Sequence, residues 1–464
     1  MDLMKYKSFH FIGIGGMGMR ALAEILLEKG LSISGSDLAD SPAIENFKAR
    51  GASIFIGHAP SNVKGAGCVI ISSAISSDNP ELVEARRENI PVFHRSDVLA
   101  ALLEEGKGIS VAGAHGKSTT SAMVGQIFSE AGEDPTIVLG AAADYIHGNS
   151  ILGKGDYVIA EADESDGSFL KFHNFIAIVT NVEDDHLDHY KTVENIRKAF
   201  TDFVNHITFA EGAAFMCLDS DGVRAILPGI HSKIITYGLD DKADYRAVNI
   251  HYVNRLLYYD ILHEGKKLGT ICLHVPGLHN VRNSLGALAA ASYCGIPFDV
   301  SARAISHFKG AKRRFETKFH NEDLWIVDDY AHHPTEIKAT LRAAKETGVK
   351  RIICAFQPHR YSRTLLLKDE FAEAFDDADV LFFTDIYAAS EVPIPGVDGH
   401  TIPDVVRNRL PEKEIHYIPN VQDMSDALYD CLKPGDMVIT MGAGSIFKSG
   451  EALAHLMKEK GMEK

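Results

Sequence analysis

Two glycine-rich turns, one lysine and a group of carboxylates are the residues of this chain whose types and spacing can do chemistry. Gly13-Ile14-Gly15-Gly16-Met17-Gly18 fits G-x-G-x-x-G. It lies between a strand-like run, Phe9-His10-Phe11-Ile12, and an apolar-periodic stretch from Ala21 to Leu27. Glycines let the backbone approach a diphosphate, and a helix N-terminus offers it unpaired N–H groups. Asp37 ends the next strand-like run, about where an acid reaches a ribose hydroxyl in a dinucleotide-binding fold. Taken alone, this fingerprint fits a nicotinamide dinucleotide, another diphosphate nucleotide or a structural tight turn.

The second turn is Gly113-Ala114-His115-Gly116-Lys117-Ser118-Thr119-Thr120. It is shorter than the P-loop pattern G-x-x-x-x-G-K-[ST], but the mechanics survive. Gly113 and Gly116 allow backbone N–H groups to cradle phosphates, Lys117 can reach β/γ oxygens, and the Ser118 hydroxyl can ligate Mg²⁺. A lysine with this task should be exposed to ligand rather than packed. A magnesium nucleotide needs hard oxygen ligands. Tyr157-Val158-Ile159-Ala160 runs into Glu161-Ala162-Asp163-Glu164-Ser165-Asp166, and Phe175 to Val179 runs into Thr180-Asn181-Val182-Glu183-Asp184-Asp185-His186-Leu187-Asp188. In an open parallel sheet ligands gather beyond the carboxyl ends of strands, so both acidic clusters and His186 are expected to face the same phosphates. Some of the acids, Asp163 and Asp166 among them, also suit helix caps and first turns.

Farther on the chain turns cationic. Arg313-Arg314-Phe315-Glu316 precedes Asp328-Asp329-Tyr330-Ala331-His332-His333-Pro334-Thr335-Glu336, and Phe356-Gln357-Pro358-His359-Arg360-Tyr361-Ser362-Arg363-Thr364 follows. Arginine forks bind carboxylates or phosphoryl groups bidentately. Adjacent histidines before a proline do not make a helical i,i+4 pair, and H-E-x-x-H is absent, so zinc is not expected.

The elements that must position these residues alternate between strand and helix. The α/β pattern restarts at Phe9, at Gly108-Ile109-Ser110-Val111-Ala112 and near Arg313-Arg314. Further strand-like runs stand at Leu324 to Val327, Arg351 to Ala355, Val380 to Phe383 and Asp436 to Ile439. This alternation predicts parallel, doubly wound sheets. At 464 residues, with 45% hydrophobic and 24% charged residues, the chain has room for three domains with ordinary cores. The boundaries are expected near residues 105 and 310. The formal net charge of -16 argues against a general nucleic-acid or anionic-membrane binder, though not against a nucleotide. Six widely spaced cysteines without a C-x-x-C pair read as free thiols of a reducing compartment. Met1 to Lys7 shows no signal peptide, and no apolar run is long enough to span a bilayer. A cytoplasmic protein without membrane insertion is expected, as a monomer or homodimer.

The ordered set of segments resembles the Mur ligase family. It comprises Gly13 to Gly18, Gly113 to Thr120, Glu161 to Asp166, Asp185 to Asp188, His279-Asn280-Val281-Arg282-Asn283, Arg313-Arg314-Phe315, Asp328 to Glu336 and Phe356 to Thr364. The double-glycine turn, the Glu-Ala-Asp-Glu-Ser-Asp run and the Asp-Asp-Tyr-Ala-His-His-Pro-Thr-Glu run point to its alanine-adding branch. The resemblance implies an α/β chain of three domains. These are a Rossmann-like N-terminal domain (1–105) binding a UDP-sugar, a central P-loop ATPase-like domain (106–310) binding ATP and Mg²⁺, and a Rossmann-like C-terminal domain (311–464) closing over ATP and the amino acid. It implies a ligase forming an amide between the lactyl carboxylate of UDP-N-acetylmuramate and L-alanine through an acyl phosphate, in peptidoglycan precursor synthesis. It turns the first glycine motif towards UDP.

By the same resemblance, Gly113, His115, Gly116, Lys117, Ser118 and Thr119 hold ATP. Ser118 and Glu161 look like ligands of one Mg²⁺, and His186 like a ligand of a second. Asn280 and Asn283 belong near the adenine, and Arg314 and Asp329 near the nucleotide. His359, Arg360, Arg363 and Tyr330 belong at the alanine and acyl-phosphate end. Gly15, Gly16 and Gly18, with Asp37, His58 and Ser73, belong to the UDP-sugar site. Three positions depart from the usual pattern: Ser118 and Ala114 stand where threonine is usual, and Arg20 where serine is common, either as an added phosphate contact or on the helix surface. Other readings are a sister ligase recycling a murein tripeptide, a nicotinamide-dependent oxidoreductase, and a non-catalytic nucleotide-binding protein.

Overall fold

Continuous apolar runs form the central strands of three sheets, as expected where both faces of a sheet are covered. The structure is a computed structural model describing residues 5–389 and 391–461; residues 1–4, Ser390, residues 462–464 and the side chain of Asp188 lie outside that description. The first sheet has β1 (Ser8–Ile12), β2 (Ser32–Asp37), β3 (Ser53–Ile56), β4 (Cys68–Ile71) and β5 (Val92–His94), in the order β3-β2-β1-β4-β5, all parallel. Its glycine turn follows β1, where the strand order reverses between β2 and β4. The helix Met17–Glu28 then buries Met19, Leu22, Ile25 and Leu26 in the core.

The second sheet has ten strands: β6 (Lys107–Ala112), β7 (Thr136–Ala143), β8 (Gly148–Ile151), β9 (Tyr157–Glu161), β10 (Ile176–Val179), β11 (Ala213–Cys217), β12 (Lys233–Gly238), β13 (Tyr245–Val253), β14 (Leu256–His263) and β15 (Lys266–Leu273). Their order is β15-β14-β13-β12-β11-β10-β6-β9-β7-β8. β6 pairs in parallel with β9 on one side and β10 on the other, so the second glycine turn leaves the sheet at its switch point. The helix Lys117–Glu130 that follows is buried from Ser118 to Phe128.

The third sheet has β16 (Glu316–His320), β17 (Leu324–Asp329), β18 (Arg351–Phe356), β19 (Val380–Phe383), β20 (Glu414–Tyr417) and β21 (Asp436–Met441), in the order β16-β17-β21-β18-β19-β20. Only β16 is antiparallel to its neighbour. The chain forms two compact units, one of Met1–Val248, Asp260–Ile271 and Arg282–His307, the other of Asn249–Tyr259, Cys272–Val281 and Phe308–Lys464. Among the described residues no helix is long and apolar enough to cross a membrane.

Candidate active site

In the first unit, the ends of β6, β9 and β10 bring the second glycine turn and the acidic residues together. Gly116 takes φ 85° before the helix Lys117–Glu130, and a Cβ there would lie 2.5 Å from Asn283 Oδ1. Glycine is required on both counts. Lys117 is not the exposed side chain expected from the sequence. Its Nζ donates to the Gly113 and Ala114 carbonyls at 2.7 and 3.1 Å and lies 2.9 Å from Glu164 Oε2, the two side chains being 15% and 4% exposed. Burial opposes the ammonium charge, but Glu164, Glu161 and Asp163 outweigh it and raise the lysine above its ordinary value. The reason for the correction is charge: a lysine ringed by carboxylates packs against them.

Ser118 Oγ donates to Glu161 Oε2 at 2.7 Å, and the Gly140 N–H reaches the same oxygen at 3.1 Å. A hydroxyl and a carboxylate suit a hard cation. Among the described residues no group of three or more His, Cys, Asp or Glu is arranged to hold a metal. A cation at Ser118 and Glu161 would therefore complete its shell with nucleotide and water oxygens, the habit of Mg²⁺. His186 adopts the left-handed conformation at φ 58°, and its Nε2 lies 3.4 Å from Glu164 and 3.5 Å from Asp185. Burial disfavours its charged form, yet the Glu164 hydrogen bond and the Asp185 charge raise its pKa overall.

His115 sends its backbone N–H to Asn181 Oδ1 at 2.9 Å, accepts from Thr180 and Asn181 on its carbonyl, and places Nε2 3.2 Å from Glu183. Thr119 is buried in the helix beside Ser118. The acids therefore divide, and do not all face one pocket. Glu161 and Glu164 surround Lys117. Asp163 pairs with Arg95 at 2.7 Å, and Asp166 accepts from Ser73 Oγ at 2.5 Å and from the Ser168 N–H. Burial works against the Asp166 carboxylate, but the two serines and His94 bring it down to about 2.

At the first turn, the Gly15 N–H donates to Asp37 Oδ2 at 2.9 Å, so this acid braces the loop itself. Gly16 precedes the helix, and Gly18 lies against Arg95, whose Nη1 would stand 3.3 Å from a Cβ there. His58 Nδ1 meets Ser36 Oγ at 3.0 Å and Glu81 at 3.5 Å, while Ser73 binds Asp166 and His94.

The second unit carries its own group. Asp329, at the end of β17, accepts the Phe315 and Ala331 N–H groups at 2.7 and 2.8 Å. Burial pushes its carboxyl up to about 6 despite the Arg314 charge. Arg313 is the structural member of its pair: it binds Asp328 at 3.0 Å and stacks over Tyr330 and Phe447. Arg314 lies 3.7 Å from Glu336 and also over the Tyr330 ring. His333 caps the helix Pro334–Glu346 in a box with Glu336. Asn280 donates to the Pro276 carbonyl at 2.8 Å in the first turn of the helix Leu278–Tyr293.

After β18, Arg360 takes φ 68° and ψ 140°, a strained conformation for a side-chain-bearing residue, and its N–H reaches the Tyr387 carbonyl. Arg363 Nη1 lies 3.1 Å from His359 Nδ1, and the His359 ring stacks on Tyr387 and meets the edge of His332. Burial and the neighbouring cations hold His332 at about 4 and His359 at about 3, so both are neutral at physiological pH.

Family models match most of the chain in one order: "Mur ligase family, catalytic domain" over residues 8–107, "Mur ligase middle domain" over 111–291 and "Mur ligase, glutamate ligase domain" over 313–444. The chain belongs to the Mur ligase family. It is 44% identical to the UDP-N-acetylmuramate--L-alanine ligase of Syntrophotalea carbinolica over 98% of this chain and 99% of that one. It is 46% identical to the enzyme of the same name from Pelotomaculum thermopropionicum over 98% of each. Among solved structures, the UDP-N-acetylmuramate-alanine ligase of Thermotoga maritima superposes with a TM-score of 0.84 at 28% identity, covering 98% of this chain and 99% of that one. Within this Mur ligase fold, sequence reasoning did not single out Glu164, Arg95, Asn181 or Glu81. Glu164 stands in the acidic run after β9, and Asn181 lies two residues beyond the end of β10; Arg95 and Glu81 carry no local signal.

Proposed function

We propose that this chain is an ATP-dependent ligase that joins L-alanine to the lactyl carboxylate of UDP-N-acetylmuramate through an acyl phosphate. The observation that carries the reading is the convergence of Lys117, Ser118, Glu161 and Glu164 at the switch point of a Mur ligase sheet. Full-length likeness to ligases of that name selects the substrates. In this reading residues 1–105 bind the UDP-sugar, 106–310 bind ATP and Mg²⁺, and 311–464 bring the amino-acid end.

A carboxylate does not react with an amine at neutral pH; its oxygen would attack the γ-phosphorus of ATP, giving an acyl phosphate and ADP, and the amine would then displace phosphate from the acyl carbon as the amide forms. The attack brings negative charge onto negative charge. Lys117 would exchange its Glu164 contact for β/γ oxygens and offset part of that repulsion. Ser118 and Glu161 would hold one Mg²⁺ and His186 a second, which when bound would screen the same oxygens. Gly113, His115, Gly116 and Thr119 shape the loop around the phosphates, and Asn280, Asn283, Arg314 and Asp329 would border the nucleotide. Arg360 or Arg363 would orient the alanine carboxylate, and neutral His359 and Tyr330 would donate towards the tetrahedral oxyanion. Gly15, Gly16 and Gly18 would meet the diphosphate, with Asp37, His58 and Ser73 around the uridine.

The test is phosphate release with UDP-N-acetylmuramate and, in turn, alanine, glycine, serine and the murein tripeptide. Release should need both the UDP-sugar and ATP and be fastest with alanine. Release with the tripeptide and not with alanine would assign the recycling reaction instead.

A further inference from the structure

Arg20 takes no part in the chemistry above. Its Nη2 donates to Asn149 Oδ1 at 3.2 Å. Asn149 is fully buried on β8, and its amide is saturated. One N–H goes to the Met17 carbonyl, inside the first glycine motif, at 3.1 Å; the other goes to the Leu139 carbonyl on β7 at 3.2 Å. The next residue on β7, Gly140, donates its N–H to Glu161 Oε2, the oxygen that also accepts from Ser118. A Cβ on Gly140 would stand 2.2 Å from that oxygen, so strand and carboxylate are in direct contact. A parallel tie runs from Ser150 Oγ to Glu24 Oε2 at 2.9 Å, one helical turn beyond Arg20. An unbroken series of hydrogen bonds thus joins Gly13–Gly18 to Ser118 and Glu161.

We propose that Asn149 is a positioning residue coupling the two glycine turns, so that a magnesium nucleotide at Ser118 and Glu161 tightens binding of the UDP-sugar at Gly13 to Gly18. Arg20 fixes the orientation of its amide. A guanidinium only donates, so it keeps Oδ1 towards itself and both N–H groups on the two carbonyls. Flipping the amide would set oxygen against two carbonyl oxygens in a buried place. A shift of Glu161 towards a cation pulls on Gly140, and Asn149 passes the displacement to the helix that opens the first turn. The inference rests on the function proposed above and adds that its two nucleotide sites communicate.

The experiment is calorimetric titration of the full chain with UDP-N-acetylmuramate, alone and in saturating magnesium AMP-PNP. The parent should bind the UDP-sugar about tenfold more tightly with the nucleotide, and by linkage AMP-PNP should gain the same factor from the UDP-sugar. In Asn149→Leu the factor should fall to about twofold or less, while each ligand alone binds nearly as before. Arg20→Ser leaves the buried amide in place and should lose part of the factor; it supplies the test if Asn149→Leu does not fold. A merely structural Asn149 would weaken both single-ligand affinities together and leave their ratio unchanged. That result, or a parent with no tightening, overturns the inference. A parent that does not bind UDP-N-acetylmuramate under either condition overturns the proposed function itself.

Discussion

Lys117 and Glu164 hold each other in a place where water reaches neither freely, and this sets what removing the lysine will do. Lys117→Ala removes the lysine half of a buried pair and leaves Glu164 to His186, a loss of up to about 3–5 kcal/mol. The variant should therefore lose stability as well as turnover. Lys117→Ala with Glu164→Gln should recover the denaturation midpoint and still fail in phosphate release. More than about a tenth of parental activity in either variant, roughly 1.4 kcal/mol of barrier, would remove Lys117 from the phosphate site. At this scale the sequence showed the chemistry and hid the pairing. Lys117, Ser118 and Glu161 are legible because a glycine turn and a strand end fix where they stand. Which carboxylate of Glu161 to Asp166 turns inward is decided by packing: the Tyr190 hydroxyl binds the Glu164 carbonyl, while Arg95 draws Asp163 away.

The strand-turn-helix element from β6 to the helix Lys117–Glu130 depends on one left-handed residue. Gly116→Ala would place a Cβ in a conformation costing about 1–2 kcal/mol for an L-residue, and 2.5 Å from Asn283 Oδ1. Easing either strain moves the turn. Stability should drop by about that amount, and ADP affinity should weaken by about tenfold, as read by denaturant midpoint and by displacement of a fluorescent nucleotide. Unchanged ADP affinity would mean that the loop does not cradle phosphate. Elements of this kind could be read from the chain because their strands, covered on both faces, are continuous apolar runs. The segment from β13 to β15 could not. β13 buries Tyr245 and Ala247 and leaves later alternate residues exposed, a weaker period-two signal. The hairpin of β7 and β8 escapes the sequence for a different reason: nothing local says that Asn149 on the return strand will bond to Met17, 132 residues earlier.

For the molecule as a whole, sheet topology bears on the choice of nucleotide that the G-x-G-x-x-G motif alone leaves open. A dinucleotide fold has two mononucleotide halves and the strand order 3-2-1-4-5-6. The first sheet here follows that order through five strands, β3-β2-β1-β4-β5. The chain then passes through the helix Arg95–Glu104 into β6, which pairs with β9 and β10 in the second sheet. The strand that would complete a second mononucleotide half is committed to the other sheet, which supports the proposed reading of this turn as a site for one diphosphate nucleotide with its sugar. A ligand that binds only the native state at 100 times its dissociation constant adds about 2.7 kcal/mol. At about 2 °C per kcal/mol for a unit somewhat larger than 250 residues, saturating UDP-N-acetylmuramate should raise the transition of the unit that holds Gly13 to Gly18 by roughly 5 °C. NADH and NADPH at the same concentration should leave it in place, because the second half of the sheet lacks its last strand. A stoichiometric NADH or NADPH complex, or an equal shift with either, would reverse the assignment of Gly13 to Gly18 and make the five-strand sheet sufficient for a dinucleotide.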